Sequence, residues 1–234
     1  MPNSTRSSIK THLLNSPGPI VEQFTRETKR RCAGFEHLSE DDLRYGFLHA
    51  LQNVALTDPQ CVRLNYRLYA NDRLKLDLVI RHDYSHLMAC EFKVHVCPKA
   101  SPRRRDAWDI LDDLSRLALA NVMWGGLNKR CPSYFVHLCS KKMTNFLRRH
   151  TSRLAGLLDA PVGTPTKFDV RTEMEIAGIG GKEIFRSRRP PFELDVHSGQ
   201  ALCVMRDCIE RDSENEWTLS VFSVRGDDHH AFNY

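Results

Sequence analysis

A chain of 234 residues with 41% apolar content can bury one substantial core, and no run of about eighteen apolar residues is present to span a membrane. Residues 1–19 are polar and lack the apolar centre of a secretory signal, which predicts a soluble, cytoplasmic protein. Eight cysteines without a C-x-x-C pair read as reduced thiols, which speaks against a disulfide frame or a zinc site. The net charge of +5 is modest, yet its cations cluster: Lys29-Arg30-Arg31, Arg103-Arg104-Arg105, Lys129-Arg130, Lys141-Lys142, Arg148-Arg149, and Arg186 with Arg188-Arg189. Any one run reads as an ordinary solvated turn or helix end. Together they point to a polyanion, bound with release of counterions, rather than to a membrane.

Residues 1–20 are rich in Ser, Asn, Thr and Pro and predict a loose arm. A helix is expected from Ser39, capped by its own side chain with Asp42 three positions on. Its apolar stripe is Leu43, Phe47, Ala50, Leu51 and Val54, and Glu40 prolongs that stripe towards the amino end. Asp41 and Asp42 are its neighbours, and all three acids also suit a helix amino terminus.

Residues 62–69 read as a strand, and Asn71-Asp72 as the turn after it. Residues 74–81 and 86–96 then alternate as two half-buried strands around a tight turn at residues 82–85. A hairpin centred on Tyr84 sets Asp77 opposite Glu91, and Leu76, Leu78 and Ile80 opposite Phe92, Cys90 and Met88. The apolar face is thereby explained. On the other face stand Asp77, Glu91 and Lys93, because side chains two apart on a strand point the same way. Two carboxylates facing each other across a ladder repel, so the arrangement calls for a compensating charge, which Lys93 supplies in part and a divalent cation would supply more fully. The alternative is an exposed hairpin face on which Lys93 merely balances two acids. His95 shares the face of Glu91 and Lys93.

A helix is expected over residues 106–123, burying Trp108, Leu111, Leu114, Leu117 and Ala118, with Asp109, Asp112, Asp113 and Arg116 as a solvated polar stripe. Residues 133–139 read as a buried strand and 141–158 as one basic amphipathic helix. Beyond residue 164, strands are expected at 168–176 and 217–224 and a helix at 200–211, with the Gly178 to Gly181 segment as a hairpin turn rather than a phosphate loop. Strand and helix alternating in this way predict an α/β protein: a central mixed sheet flanked by helices. The expected organisation is an arm (1–20), a core (21–160) and a carboxyl-terminal α/β extension packed on it (161–234).

Asp77, thirteen residues, then Glu91-Phe92-Lys93 resembles the D…(D/E)xK signature of the PD-(D/E)xK nuclease superfamily, the restriction-endonuclease-like fold. The resemblance spans the region from the helix near Ser39 to the helix after Lys141. Leu76 stands where the superfamily's name has proline, and the helix after Lys93 has no glutamine. The resemblance implies an α-β-β-β-α-β core and a metal-dependent nuclease, with defence or repair as its setting and a homodimer if both strands are cut. It implies Mg2+, or Mn2+ in its place, on Asp77, Glu91 and the Phe92 carbonyl. Lys93 would act on the attacking water, and Glu40 would join the metal cluster. The expected substrate is DNA, held by Arg103, Arg104, Arg105, Lys141 and Lys142. A different class also suits the sequence: a catalytically inactive nucleic-acid-binding module, or a regulatory interaction subunit of the same fold.

Overall fold

The computed structural model describes residues 18–34, 38–55, 59–68, 75–82, 85–96, 104–124, 131–150, 152–169, 198–210 and 216–227. In chain order these form α1 (Gly18–Gly34), α2 (Glu40–Ala55), a short 3-10 turn (Pro59–Cys61), β1 (Val62–Arg67), β2 (Lys75–His82), β3 (Ser85–His95), α3 (Arg104–Met123), β4 (Ser133–Ser140), α4 (Lys141–His150), α5 (Ser152–Asp159), β5 (Pro165–Asp169), β6 (Ser198–Glu210) and β7 (Glu216–Gly226). The seven strands make one mixed sheet in the order β1-β2-β3-β4-β7-β6-β5. Only β3 and β4 run parallel, and α3 lies between them in sequence, as a parallel crossover requires. No helix among the described residues is long and apolar enough to cross a membrane.

Helices cover both faces of the sheet. On one, Ile20 and Phe24 of α1 and Leu43, Phe47 and Leu51 of α2 meet Leu78, Ile80, Met88, Cys90, Phe92, Val136 and Val221. Phe24, Phe47 and Phe92 stack edge to face, with centroids 5.2 and 5.7 Å apart, and so bind both helices to the middle of the sheet. On the other face, Ile110, Leu114 and Leu117 of α3, Met143 and Leu147 of α4 and Leu154 of α5 close over Val79, Ala89, Phe135, Cys203, Phe222 and Val224. Strand β4 is buried from Ser133 to Cys139, which is why its sequence reads as a continuous apolar run rather than an alternation.

The hairpin register agrees with the alternation where it is ordered by backbone pairing: Leu78 faces Cys90 and Ile80 faces Met88, with a bulge after Ile80. Asp77 lies one residue beyond this ladder. β1 adds the third strand of the expected meander.

Several expectations need correction. The helix expected at 200–211 is strand β6, paired to β5 over Ser198–Leu202 and to β7 from Gly199 to Glu210. A register shift between Cys203 and Met205 swaps the faces of the strand, so that Ala201 and Cys203 pack into one core cluster while Ile209, at even spacing from them, packs into the other. The helix expected at 141–158 is two, α4 and α5. Helix α1 was not expected, and residues 18–20 belong to it rather than to a loose arm. The strand expected at 168–176 is observed as β5, ending at Asp169; residues 170–176, the Gly178 segment and the Arg186 to Arg189 cluster lie outside the described residues, as does the turn at Asn71-Asp72.

Candidate functional site

Strands β2 and β3 carry the acids, α2 and α3 carry their partners, and the four elements meet around Asp77, Glu91 and Lys93. Past the end of the β2–β3 ladder the Phe92 N–H has no strand partner in β2. The Asp77 carboxylate takes its place: Oδ2 accepts that N–H at 2.8 Å, while Oδ1 accepts from Arg44 Nη2 at 2.9 Å. Arg44, buried at 8% exposure on α2, also contacts Asp41 at 2.9 Å.

Glu91 is 1% exposed, one hydrogen bond from Asp77, with its Oε1 3.1 Å from Arg116 Nε of α3. Those two atoms are close but not aligned, and neither finds a hydrogen-bond partner among the described residues. Burial pushes the Glu91 carboxyl well above its ordinary range; Arg116 pulls it back, while Asp113 and Asp77 push it further up. Asp113, 2% exposed, binds Arg116 Nη2 and lies 3.3 Å from Lys93 Nζ. Its carboxyl is pushed up to about 7 by burial, against the pull of Arg116 and Lys93.

Lys93 Nζ sits between Asp113 and Glu40, the latter at 3.2 Å. Burial alone would lower the ammonium's pKa, but the Asp113 and Glu40 carboxylates outweigh it and hold it above the ordinary lysine value. Of the three acids at the start of α2, Glu40 is therefore the one that reaches the site. Asp42 is occupied in the expected cap, accepting the Ser39 N–H at 2.8 Å and its hydroxyl at 2.7 Å. Beside Lys93, His95 Nδ1 and His137 Nε2 are 3.0 Å apart, one donating to the other. Both are neutral: burial takes His95 down to about 4 and His137 further, with Lys93 adding to each.

The expected residues Glu40, Asp77, Glu91 and Lys93 are thus brought together. Asp113 and Arg116 are a correction. Their spacing of three with Asp112 and Asp109 nearby reads as a solvated helix stripe, but the stripe turns towards β3, so that Asp113 is buried and Arg116 lies against Glu91. Arg44 and His137 were also unforeseen. His137 is identifiable only once β4 is set parallel to β3, which places it opposite Lys93.

The same parallel pairing sets the end of β4, and hence Lys141 and Lys142, at the sheet end where His95 stands. Both lysines are exposed, and Lys141 contacts Glu216 at 3.2 Å. Arg104 and Arg105 open α3, whose Asp106 acts on His95; their side chains and all of Arg103 lie outside the described residues, as do His229 and His230. A groove of about 440 Å³ between α1 and α2 is lined by Arg30, Arg31, Tyr45, Leu48 and His49, with Glu27 holding Arg30 at 3.1 Å.

Among the described residues no three of His, Cys, Asp and Glu gather in an arrangement that holds a metal by itself. Asp77 and Glu91 nonetheless suit Mg2+, which takes one or two carboxylates and completes its shell with water and phosphate. A divalent cation would satisfy the orphaned Glu91 Oε1 and offset the burial that pushes that carboxyl up. No protein-family model, curated protein or solved structure matches the chain.

Proposed function

We propose that the protein is a metal-dependent nuclease that hydrolyses phosphodiester bonds of DNA, of the PD-(D/E)xK kind. One observation carries this: Asp77 and Glu91 on adjoining strands lie within one hydrogen bond of each other, with Lys93 Nζ held close by Glu40 and Asp113 on the same side. The order α2-β1-β2-β3-α3-β4 supports it, since it repeats the α-β-β-β-α-β succession of that superfamily's core.

Bound at Asp77 and Glu91, with the Phe92 carbonyl as a further ligand, Mg2+ would supply the Lewis acidity that polarises a phosphate oxygen and acidifies water. The chain's own residues do the rest. Lys93 enters as a cation, because its two carboxylate neighbours keep it protonated; it donates to the attacking water or a phosphate oxygen and stabilises the charge growing there, rather than removing a proton. Glu40 and Asp113 fix where that ammonium points. The basic residues at the same sheet end, Lys141 and Lys142 with Arg103 to Arg105 leading into α3, would hold the phosphate backbone.

The test is supercoiled plasmid incubated with Mg2+ or Mn2+, with and without chelator, using wild type, Glu91→Gln and Lys93→Met. Metal-dependent cleavage by wild type alone is the expected result. Full activity in Glu91→Gln would sink the assignment.

A second reading has its own observation. Arg44 and Arg116 already neutralise the two acids, an arrangement that also suits a nucleic-acid-binding module without catalysis. Salt-sensitive retention on DNA with no cleavage in either metal would favour it.

A further inference from the structure

The guanidinium of Arg116 has three nitrogens with three different engagements. Nη2 is bonded to Asp113, and Nη1 donates to the Lys75 carbonyl at 3.0 Å. Nε faces Glu91 Oε1 at 3.1 Å, yet both of those atoms are buried without a hydrogen-bond partner. Two of the three nitrogens are therefore anchored to α3 and β2, while the one facing Glu91 offers charge but no bond. Glu91 can turn away from Arg116 without breaking a hydrogen bond to it, while Arg116 stays where Asp113, the Lys75 carbonyl and, at 3.8 Å, Asp112 hold it.

We infer that Arg116, fixed by Asp113 and the Lys75 carbonyl, is a built-in counterion of Glu91 that competes with a divalent cation for that carboxylate and so sets the metal affinity of the site. This rests on the reading of Asp77 and Glu91 as cation ligands. Buried charges interact strongly over a few ångströms, so a fixed guanidinium beside Glu91 repels an incoming dication while also satisfying the carboxylate in its absence. The site is thereby stable without metal and weak for metal until an anionic phosphate arrives to balance the added charge. Asp113 is the positioning residue in this arrangement: it keeps the guanidinium where Glu91 meets it.

The experiment measures Mn2+ binding to substrate-free protein by electron paramagnetic resonance of the free ion, with circular dichroism to establish that each variant is folded. Arg116→Met keeps much of the side-chain volume and removes the charge; it is expected to tighten Mn2+ binding tenfold or more, while Arg116→Lys stays near wild type and Glu91→Gln abolishes binding in either background. If Arg116→Met does not fold, Arg116→Gln takes its place in the comparison. Unchanged or weaker Mn2+ affinity in the charge-removed variant, with Glu91→Gln still abolishing binding, overturns this inference and leaves the metal site standing. No Mn2+ binding by wild type or any variant overturns both together.

Discussion

The two long hairpins of the sheet use the same architecture for opposite ends. The β2–β3 hairpin and the β6–β7 hairpin are both antiparallel and both broken by one bulge. Yet the first adds to its buried Leu78, Ile80, Met88, Cys90 and Phe92 a buried Glu91 and draws in Arg44, Asp113 and Lys93, whereas the strands of the second bury Cys203, Trp217, Leu219, Val221, Phe222 and Val224. Its one inward-reaching guanidinium, Arg206, spends its donors on the Leu158 and Ala160 carbonyls at the end of α5. A buried ion cluster adds little net stability, because desolvation offsets the Coulomb attraction. An apolar hairpin of the same size stabilises through area removed from water. On the proposed function, the charged cluster of the first region serves the reaction, whereas the second holds the sheet together.

The largest effect that separates them is catalytic. Lys93→Met is expected to lower metal-dependent cleavage roughly a thousandfold, about 4 kcal/mol of transition-state stabilisation, while Glu91→Gln does the same by removing a ligand. Gln keeps the shape of Glu91 and removes the burial cost of its charge, which offsets the lost Arg116 contact, so the thermal midpoint of the variant should stay close to wild type. A large drop in midpoint with residual cleavage would reverse the comparison. In the other hairpin Phe222→Ala, fully buried against Phe135, should cost about 3 kcal/mol in urea unfolding. Once folded, that variant should bind Mn2+ as wild type does.

The contrast also explains what could be read from the residues. The β2–β3 register was legible because alternation of Leu78, Ile80, Met88 and Cys90 fixes a face, and a slip of one residue would bury every charge. The α2 cap was legible for a local reason: Ser39 and Asp42 satisfy each other within three residues. What failed depended on distant partners. β6 reads as helix because a bulge is invisible in composition, and its true pattern emerges only between β5 and β7. Asp113 and Arg116 read as solvated because acid and base at helical spacing are usually surface pairs; only the docking of α3 on β3 makes them buried. Periodicity reports which face is apolar, not whether the polar face is also covered.

A smaller effect concerns acid. His95 and His137 have folded-state pKa values below the ordinary 6.5, so the unfolded chain binds protons first as pH falls. Their contribution is fully present above about pH 6.5 and is lost as pH drops towards 4. Glu91 and Asp113 run the other way, since raised carboxyls bind protons sooner in the folded chain and favour it as pH falls, Asp113 as it falls through about 7. The difference between wild type and His137→Leu isolates the histidines. Between about pH 7.5 and about pH 5 the wild type should lose on the order of 2 kcal/mol more than the variant in urea unfolding. Equal losses would mean that the pair is solvated and that the acid sensitivity lies elsewhere in the sheet.

The smallest effect tests whether the charged region's position and its stability can be separated at all. Asp42 accepts both the N–H and the hydroxyl of Ser39, and those bonds hold its carboxyl below the usual range. Asp42→Ala removes the reciprocal half of the capping box, leaving the Ser39 hydroxyl on the backbone N–H of residue 42, and should cost about 1 kcal/mol of unfolding free energy. Glu40, two residues away, is held to Lys93 by its own ion pair, and α2 is held to the sheet by Leu43, Phe47 and Leu51 rather than by its first turn. Cleavage by Asp42→Ala should therefore stay within about twofold of wild type, since a surface cap contributes to the fold and not to the reacting groups. A cleavage loss of tenfold or more, at temperatures where the variant is fully folded, would mean that the first turn of α2 sets the Glu40 to Lys93 geometry. The acidic start of that helix would then belong to the site and not to the scaffold.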